Sequence, residues 1–236
     1  RVDRRQRQMC IRDRAIAIYG DDIPMEKHPE IRSEQACYIS SSQAIALAKK
    51  TGARLHVFHL STAKETKLFD KKKPLKDKKI TAEVCVHHLW FTSEDYASKG
   101  SKIKWNPAVK TKKDREGLWK ALNEGRIDVI ATDHAPHTLE EKDNVYTKAP
   151  SGGPLVQHAL EALFEMHRKG YITVEKLVEK IAHNPAILFE IKDRGYIREG
   201  YKADLVLINP NAPWTVTKEN IAYKCGWSPF EGTTFR

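Results

Sequence analysis

No apolar run in this chain reaches the roughly 18 residues needed to cross a bilayer, and its arginine-rich start lacks the apolar stretch of a signal peptide. A soluble cytoplasmic protein with no membrane partner is therefore expected. The four cysteines, Cys10, Cys37, Cys85 and Cys225, lie far apart with no Cys-x-x-Cys pair. That argues against both a disulfide framework and a cysteine-based zinc site, and for reduced thiols. Internal repeats and low-complexity linkers are absent as well.

Basic charge is plentiful, but it is not interleaved with aromatics. The formal net charge is +10. Residues 1–14 hold six arginines against Asp3 and Asp13, a net of +4, with neither helical nor strand periodicity. Residues 64–79 hold eight lysines against Glu65, Asp70 and Asp77, a net of +5. Apart from Phe69, neither cluster offers the stacking surface of a nucleic-acid groove, so both read as solvated charge and no nucleic-acid partner is expected.

What is present is enough apolar material for a core, 40% of 236 residues, arranged in an alternating pattern. A helical stretch, Gln43-Ala44-Ile45-Ala46-Leu47-Ala48-Lys49-Lys50, ends near Gly52, and the apolar run Arg54-Leu55-His56-Val57-Phe58-His59-Leu60 follows as a strand. Ser61-Thr62 opens another helix. Ile80-Thr81-Ala82-Glu83-Val84-Cys85 is a second strand, residues 114–123 a helix, and Ile127-Asp128-Val129-Ile130-Ala131 a third strand. Residues 155–168 and 173–182 read as helices, the latter stopped by Asn184-Pro185. From Gly195 the texture becomes β-like. Strands alternating with helices imply a parallel sheet, yet three strands cannot close an eight-stranded barrel, whose typical length is about 250 residues.

The third strand leads into Thr132-Asp133-His134-Ala135-Pro136-His137, a carboxylate and two imidazoles where a buried strand emerges. Such strand ends carry the chemistry of α/β barrels. His59 takes the equivalent place after the first strand and, by alternation, faces the same way as Leu55 and Val57. Histidine and aspartate suit zinc or a similar divalent ion, and a carboxylate beside a metal-activated water can shuttle its proton. The competing readings are ordinary: a hydrogen-bonded core histidine for His59, a helix cap for Asp133 and a turn for Asn106-Pro107. His87-His88 is ambiguous, since paired histidines can bind metal but often include one packed and one exposed ring, and the structural role is favoured.

Taken together, Thr132-Asp133-His134-Ala135-Pro136-His137 with Glu141-Lys142, His56-Val57-Phe58-His59-Leu60-Ser61-Thr62, Ala82-Glu83-Val84-Cys85-Val86-His87-His88-Leu89 and Lys104-Trp105-Asn106-Pro107 resemble the landmarks of dihydroorotase, in that family's order. The resemblance covers roughly residues 19–236. It implies an α/β fold, the C-terminal part of a (β/α)8 TIM-type barrel with part of an accessory β-sandwich. It also implies a zinc amidohydrolase of pyrimidine biosynthesis that interconverts dihydroorotate and carbamoyl-aspartate. In that reading His59 and Asp133 are metal ligands, and Asp133 is also the catalytic proton carrier. Asn106, His137 and the backbone of Gly152 hold the substrate, with Ser151 standing where a bulkier residue is common.

The departures are as specific as the matches. The family's His-x-His pair on the first barrel strand, its bridging lysine or aspartate, a further histidine and a carboxylate-binding arginine have no counterpart here. The zinc centre, binuclear in the family, is thus expected to lack half its ligands. The expectation is a C-terminal portion of a dihydroorotase, inactive as the isolated chain. It divides into a disordered basic leader over residues 1–18, a partial barrel over 19–194 and the start of a β-sandwich over 195–236. Alternatives are a non-catalytic structural partner of aspartate transcarbamoylase and a cyclic amidase acting on allantoin or a hydantoin. The expected partner is the small-molecule substrate, dihydroorotate or carbamoyl-aspartate, with a homo-oligomer or an aspartate transcarbamoylase association as further partners, the latter suiting the structural-partner alternative.

Overall fold

Ser33 opens the first long helix of the sheet region, Glu34–Thr51, by accepting a hydrogen bond from the Ala36 amide, and Gly52 closes it at φ 72°. The chain then enters β1, Leu55–Val57. The computed structural model describes residues 4–236, with side chains described from Arg12 onward. Strands β1, β2 (Ile80–Cys85) and β3 (Val129–Ala131) form one parallel sheet in that order. Val57 is in register with Ala82, and Cys85 with Ala131. All three expected strands are present, so their carboxyl ends lie side by side.

Helices pack against this sheet. Thr111 and Asp114 form a reciprocal capping box at the start of the helix Lys112–Asn123. Asp114 also accepts from the Ala63 amide at 3.0 Å. That helix approaches the short helix Ala63–Thr66 so closely that a Cβ at Gly117 would collide with the Ala63 methyl. Val84 and Ala82 of β2 and Leu118 and Leu122 of the helix are buried in one core with Leu89, Phe91, Ile103 and Trp105. Fully burying side chains of this size contributes about 1.5–3 kcal/mol each.

Three local expectations are corrected. The tail read as disordered is helical from Arg4 to Tyr19 and ends at Gly20, φ 62°. Arg, Gln, Met and Ala favour helix by propensity without any amphipathic stripe, and Ala15 is buried against Ile23, Ile31 and Tyr146. Asn184-Pro185 does not stop the helix after Thr173. Val174–Val178 runs through a π turn, Glu179–His183, into Asn184–Leu188, where proline sits in the first turn and needs no amide partner.

The β-like segment after Gly195 forms no strand before Trp214. Leu205, Val206 and Leu207 are exposed, Leu207 completely. Strand propensity becomes a strand only with a partner to pair with. Among the described residues the only sheet in this region is the two-residue pairing of β4, Trp214–Thr215, with β5, Thr234–Phe235.

Candidate active site

His59 and Asp133 are built by the same device. Each lies two residues beyond the last residue of its strand, and each holds a left-handed backbone, φ 46° and 48°. Such a conformation is uncommon for a residue with a Cβ and is found where the surroundings enforce it, often at functional sites. It also explains why alternation is the wrong argument for His59: β1 has ended at Val57, and the turn re-aims the ring.

Between them lies β2, whose alternation places Thr81, Glu83 and Cys85 on one face. Glu83 accepts from two imidazoles, His59 Nδ1 at 3.1 Å and His56 Nε2 at 3.1 Å. Burial pushes the Glu83 carboxyl up, but the hydrogen bonds from His56 and His59 outweigh it and hold the group down at about 2. His56 is fixed in turn by Thr81 Oγ1 at 2.9 Å. A carboxylate bonded to Nδ1 orients an imidazole and assigns its Nε2 to ligation, the usual arrangement behind a metal-bound histidine. Neither Glu83 nor His56 stands out in the sequence, because a carboxylate inside an apolar strand has no motif of its own.

Cys85 lies 3.9 Å from His59 Nδ1. Its thiol is pushed well up by burial and by the nearby carboxylates of Glu83 and Asp133. Asp133 therefore shares this neighbourhood, as the pairing of Cys85 with Ala131 requires.

His87 and His88 correct the expectation of one packed and one exposed ring, since both are buried. His88 donates from Nε2 to the Pro107 carbonyl at 3.1 Å. A carbonyl can only accept, so Nδ1 carries the lone pair, and it has no hydrogen-bond partner. His87 stacks on Trp105 at 4.2 Å with both ring nitrogens unpartnered. Burial drives the His87 ring well down and the His88 ring down to about 3, which keeps both neutral, the ligating form. Orphaned buried nitrogens are costly, at about 1–3 kcal/mol each, and call for a partner. Ligand atoms of Cys85, His87 and His88 all lie within 4.8 Å of one another, as do those of His59, Glu83 and Cys85. Imidazole, carboxylate and thiol together fit zinc well.

The residues expected to hold substrate fall into two groups. Asn106 borders a cleft of about 350 Å³ with His56, Phe58, His59 and Pro107. His137 and Gly152 meet elsewhere: a Cβ on Gly152, φ 140°, would lie 2.6 Å from the Ala135 carbonyl and 3.1 Å from the His137 ring. Only glycine allows that approach. His134 is turned to scaffolding, with Nδ1 accepting from the amides of Leu155 and Val156 at 3.1 and 3.3 Å. Asp133, His137 and Gly152 do not line the Asn106 cleft.

Lys142 holds the Gly152 loop in place. Its buried ammonium donates to the carbonyls of Pro150 at 2.9 Å, Gly152 at 2.8 Å and Lys104 at 3.4 Å. Burial, with Lys104 nearby, brings it down to about 7.

This arrangement of parallel strand ends matches known proteins. A profile of the amidohydrolase family matches residues 26–228. The chain belongs to the amidohydrolase family, and its α/β fold is a portion of that family's TIM-type barrel. It is 41% identical over 191 residues to a dihydroorotase of Carboxydothermus hydrogenoformans, covering 80% of this chain and 44% of that one. Against a dihydroorotase of Clostridioides difficile it is 38% identical over 187 residues, covering 79% and 44%. The L-hydantoinase (dihydropyrimidinase) of Arthrobacter aurescens superposes with a TM-score of 0.87 at 24% identity, covering 97% of this chain and 51% of that one. The chain thus spans about half the length of the relatives it matches. Among the described residues no helix is long and apolar enough to cross a membrane.

Proposed function

We propose that this chain carries part of the active centre of a dihydroorotase, a zinc-dependent cyclic amide hydrolase of pyrimidine biosynthesis acting in the cytoplasm. The observation that carries the reading is the matched pair of left-handed strand ends, His59 and Asp133, beside buried imidazole nitrogens without partners. Residues 19–194 form the barrel part of this unit and 195–236 its accessory part.

His59, Asp133 and, from its orphaned nitrogens, His87 would hold the divalent ion. When bound, the ion polarises an amide carbonyl and lowers the pKa of a water. Glu83 keeps His59 oriented. Asp133 takes the proton of the attacking water and delivers it to the departing ring nitrogen, a transfer suited to a carboxylate at hydrogen-bond distance. The Asn106 amide and the Gly152 backbone hold the ring, and the His137 imidazole faces the substrate carboxylate. The 236 residues contain no His-x-His pair, so the chain alone is expected to turn over little substrate.

The test places residues 26–236 behind the amino-terminal portion of the Carboxydothermus hydrogenoformans dihydroorotase and assays dihydroorotate, hydantoin, dihydrouracil and allantoin in parallel. Hydrolysis of dihydroorotate above the other three rings, abolished by Asp133→Asn, supports the proposal. A preference for hydantoin or dihydrouracil would move the substrate to the alternative type. An inactive fusion, together with co-purification of the unfused chain with an aspartate transcarbamoylase, would favour the structural-partner reading.

A further inference from the structure

Cys85 occupies a place that the zinc-amidase reading does not use. Its Sγ is the one atom shared by both potential ligand groups, His59 with Glu83 on one side and His87 with His88 on the other. The thiol is fully buried, and no disulfide engages it. Beside it lie three buried imidazole nitrogens without partners, both of His87 and Nδ1 of His88. Two ligands on one tetrahedral zinc stand about 3.5 Å apart, given Zn–S near 2.3 Å and Zn–N near 2.0 Å. Ligand atoms within 4.8 Å of one another therefore need to close by less than about 1.5 Å per pair.

We infer that Cys85 is itself a ligand of the metal centre, giving it a sulfur donor and a preference for thiophilic divalent cations over hard ones. The inference rests on the metal-centre reading above. As the sulfur–metal bond forms, the S–H bond breaks and its proton passes to buffer, so charge balances and no electron is transferred. Thiolate is a soft donor, and together with imidazole it favours zinc, cobalt and cadmium over magnesium and manganese. Glu83 and Asp133 are the hard donors close by, so loss of sulfur would leave a site of oxygen and nitrogen only.

The probe is cobalt(II) alone, titrated into the metal-free 236-residue chain and followed by absorption. The inference expects visible ligand-field bands together with a near-ultraviolet sulfur-to-cobalt charge-transfer band. In Cys85→Ser the near-ultraviolet band disappears while the visible bands persist, with cobalt affinity lowered at least about tenfold. Cys225→Ser leaves both unchanged. Visible bands without any charge-transfer band in the parent chain would overturn the role of Cys85 while leaving the metal centre intact. Absence of both sets of bands would overturn the metal centre as well. The parent spectrum is decisive even if Cys85→Ser fails to fold, and circular dichroism of the variant identifies that case.

Discussion

The two ends of the same three strands are built on opposite principles. At the amino-terminal end, Lys78 donates to Asp128 and to the Gly125 carbonyl, both at 2.7 Å. The other Asp128 oxygen accepts from the Ala82 amide at 3.0 Å, and Asn184 donates to the Asp128 carbonyl at 2.7 Å. At the carboxyl end, two residues carry left-handed backbones and three imidazole nitrogens have no partner. One end is closed and satisfied, which favours stability. The other keeps strain and unmet ligand capacity, the pattern of a site waiting for something to bind.

Mutations at the two ends should therefore have effects of opposite character. Asp128→Ala should destabilise the fold by about 3–5 kcal/mol, because it strands a buried ammonium; urea unfolding gives the value. An effect under about 1 kcal/mol would show that the closed end is not the anchor of the sheet.

A buried histidine bonded to the Trp105 carbonyl gives a pH test. His28 donates from Nε2 to the Trp105 carbonyl at 2.7 Å and pairs through Nδ1 with the Tyr146 hydroxyl at 2.8 Å. Burial drives it down to about 3. Between that value and the ordinary 6.5 the unfolded chain binds the proton and the folded chain does not. Stability is therefore full above 6.5 and is lost as the pH falls towards 3, by up to about 1.4 kcal/mol per pH unit. Denaturation curves at several pH values should show at least this slope, to which the buried rings of His87, His88 and His158 add, and His28→Gln should remove only the His28 share.

Two smaller effects belong to the strained end. Asp133→Gly should raise the stability of the metal-free chain by about 1 kcal/mol, since glycine adopts φ near 48° without strain. His87→Leu should change it by no more than about 1 kcal/mol, because a packed apolar group replaces an unsatisfied polar one. A large loss in both variants would place these residues among the structural supports rather than the ligands.

The same division decides what could be read from the sequence. The strands were legible because short apolar runs stand between turn signals, and Asp133 because a charged cluster follows one of them. His59 is legible by its position after a strand, though strand alternation does not orient it, because it fails at the left-handed turn after Val57. Glu83 and His56 were not legible, since their pairing depends on the register of β1 with β2, which is a tertiary fact. The unpartnered nitrogens of His87 and His88 are equally invisible in the sequence, since composition does not show whether a buried nitrogen has a partner. The helix Arg4–Tyr19 carries no amphipathic stripe to show it in the sequence, because propensity decides there. The run Leu205-Val206-Leu207-Ile208 has the apolar character of a strand, but β structure depends on a partner strand.

Zinc content tests the central claim most directly. The metal-free chain, equilibrated with zinc and dialysed, should retain it stoichiometrically, and the loaded chain should melt at a higher temperature. The variant carrying His59→Ala, His87→Ala and Asp133→Asn should retain none. Equal retention by the parent and this variant, or no retention by the parent, would contradict the assignment of these strand ends as a metal centre.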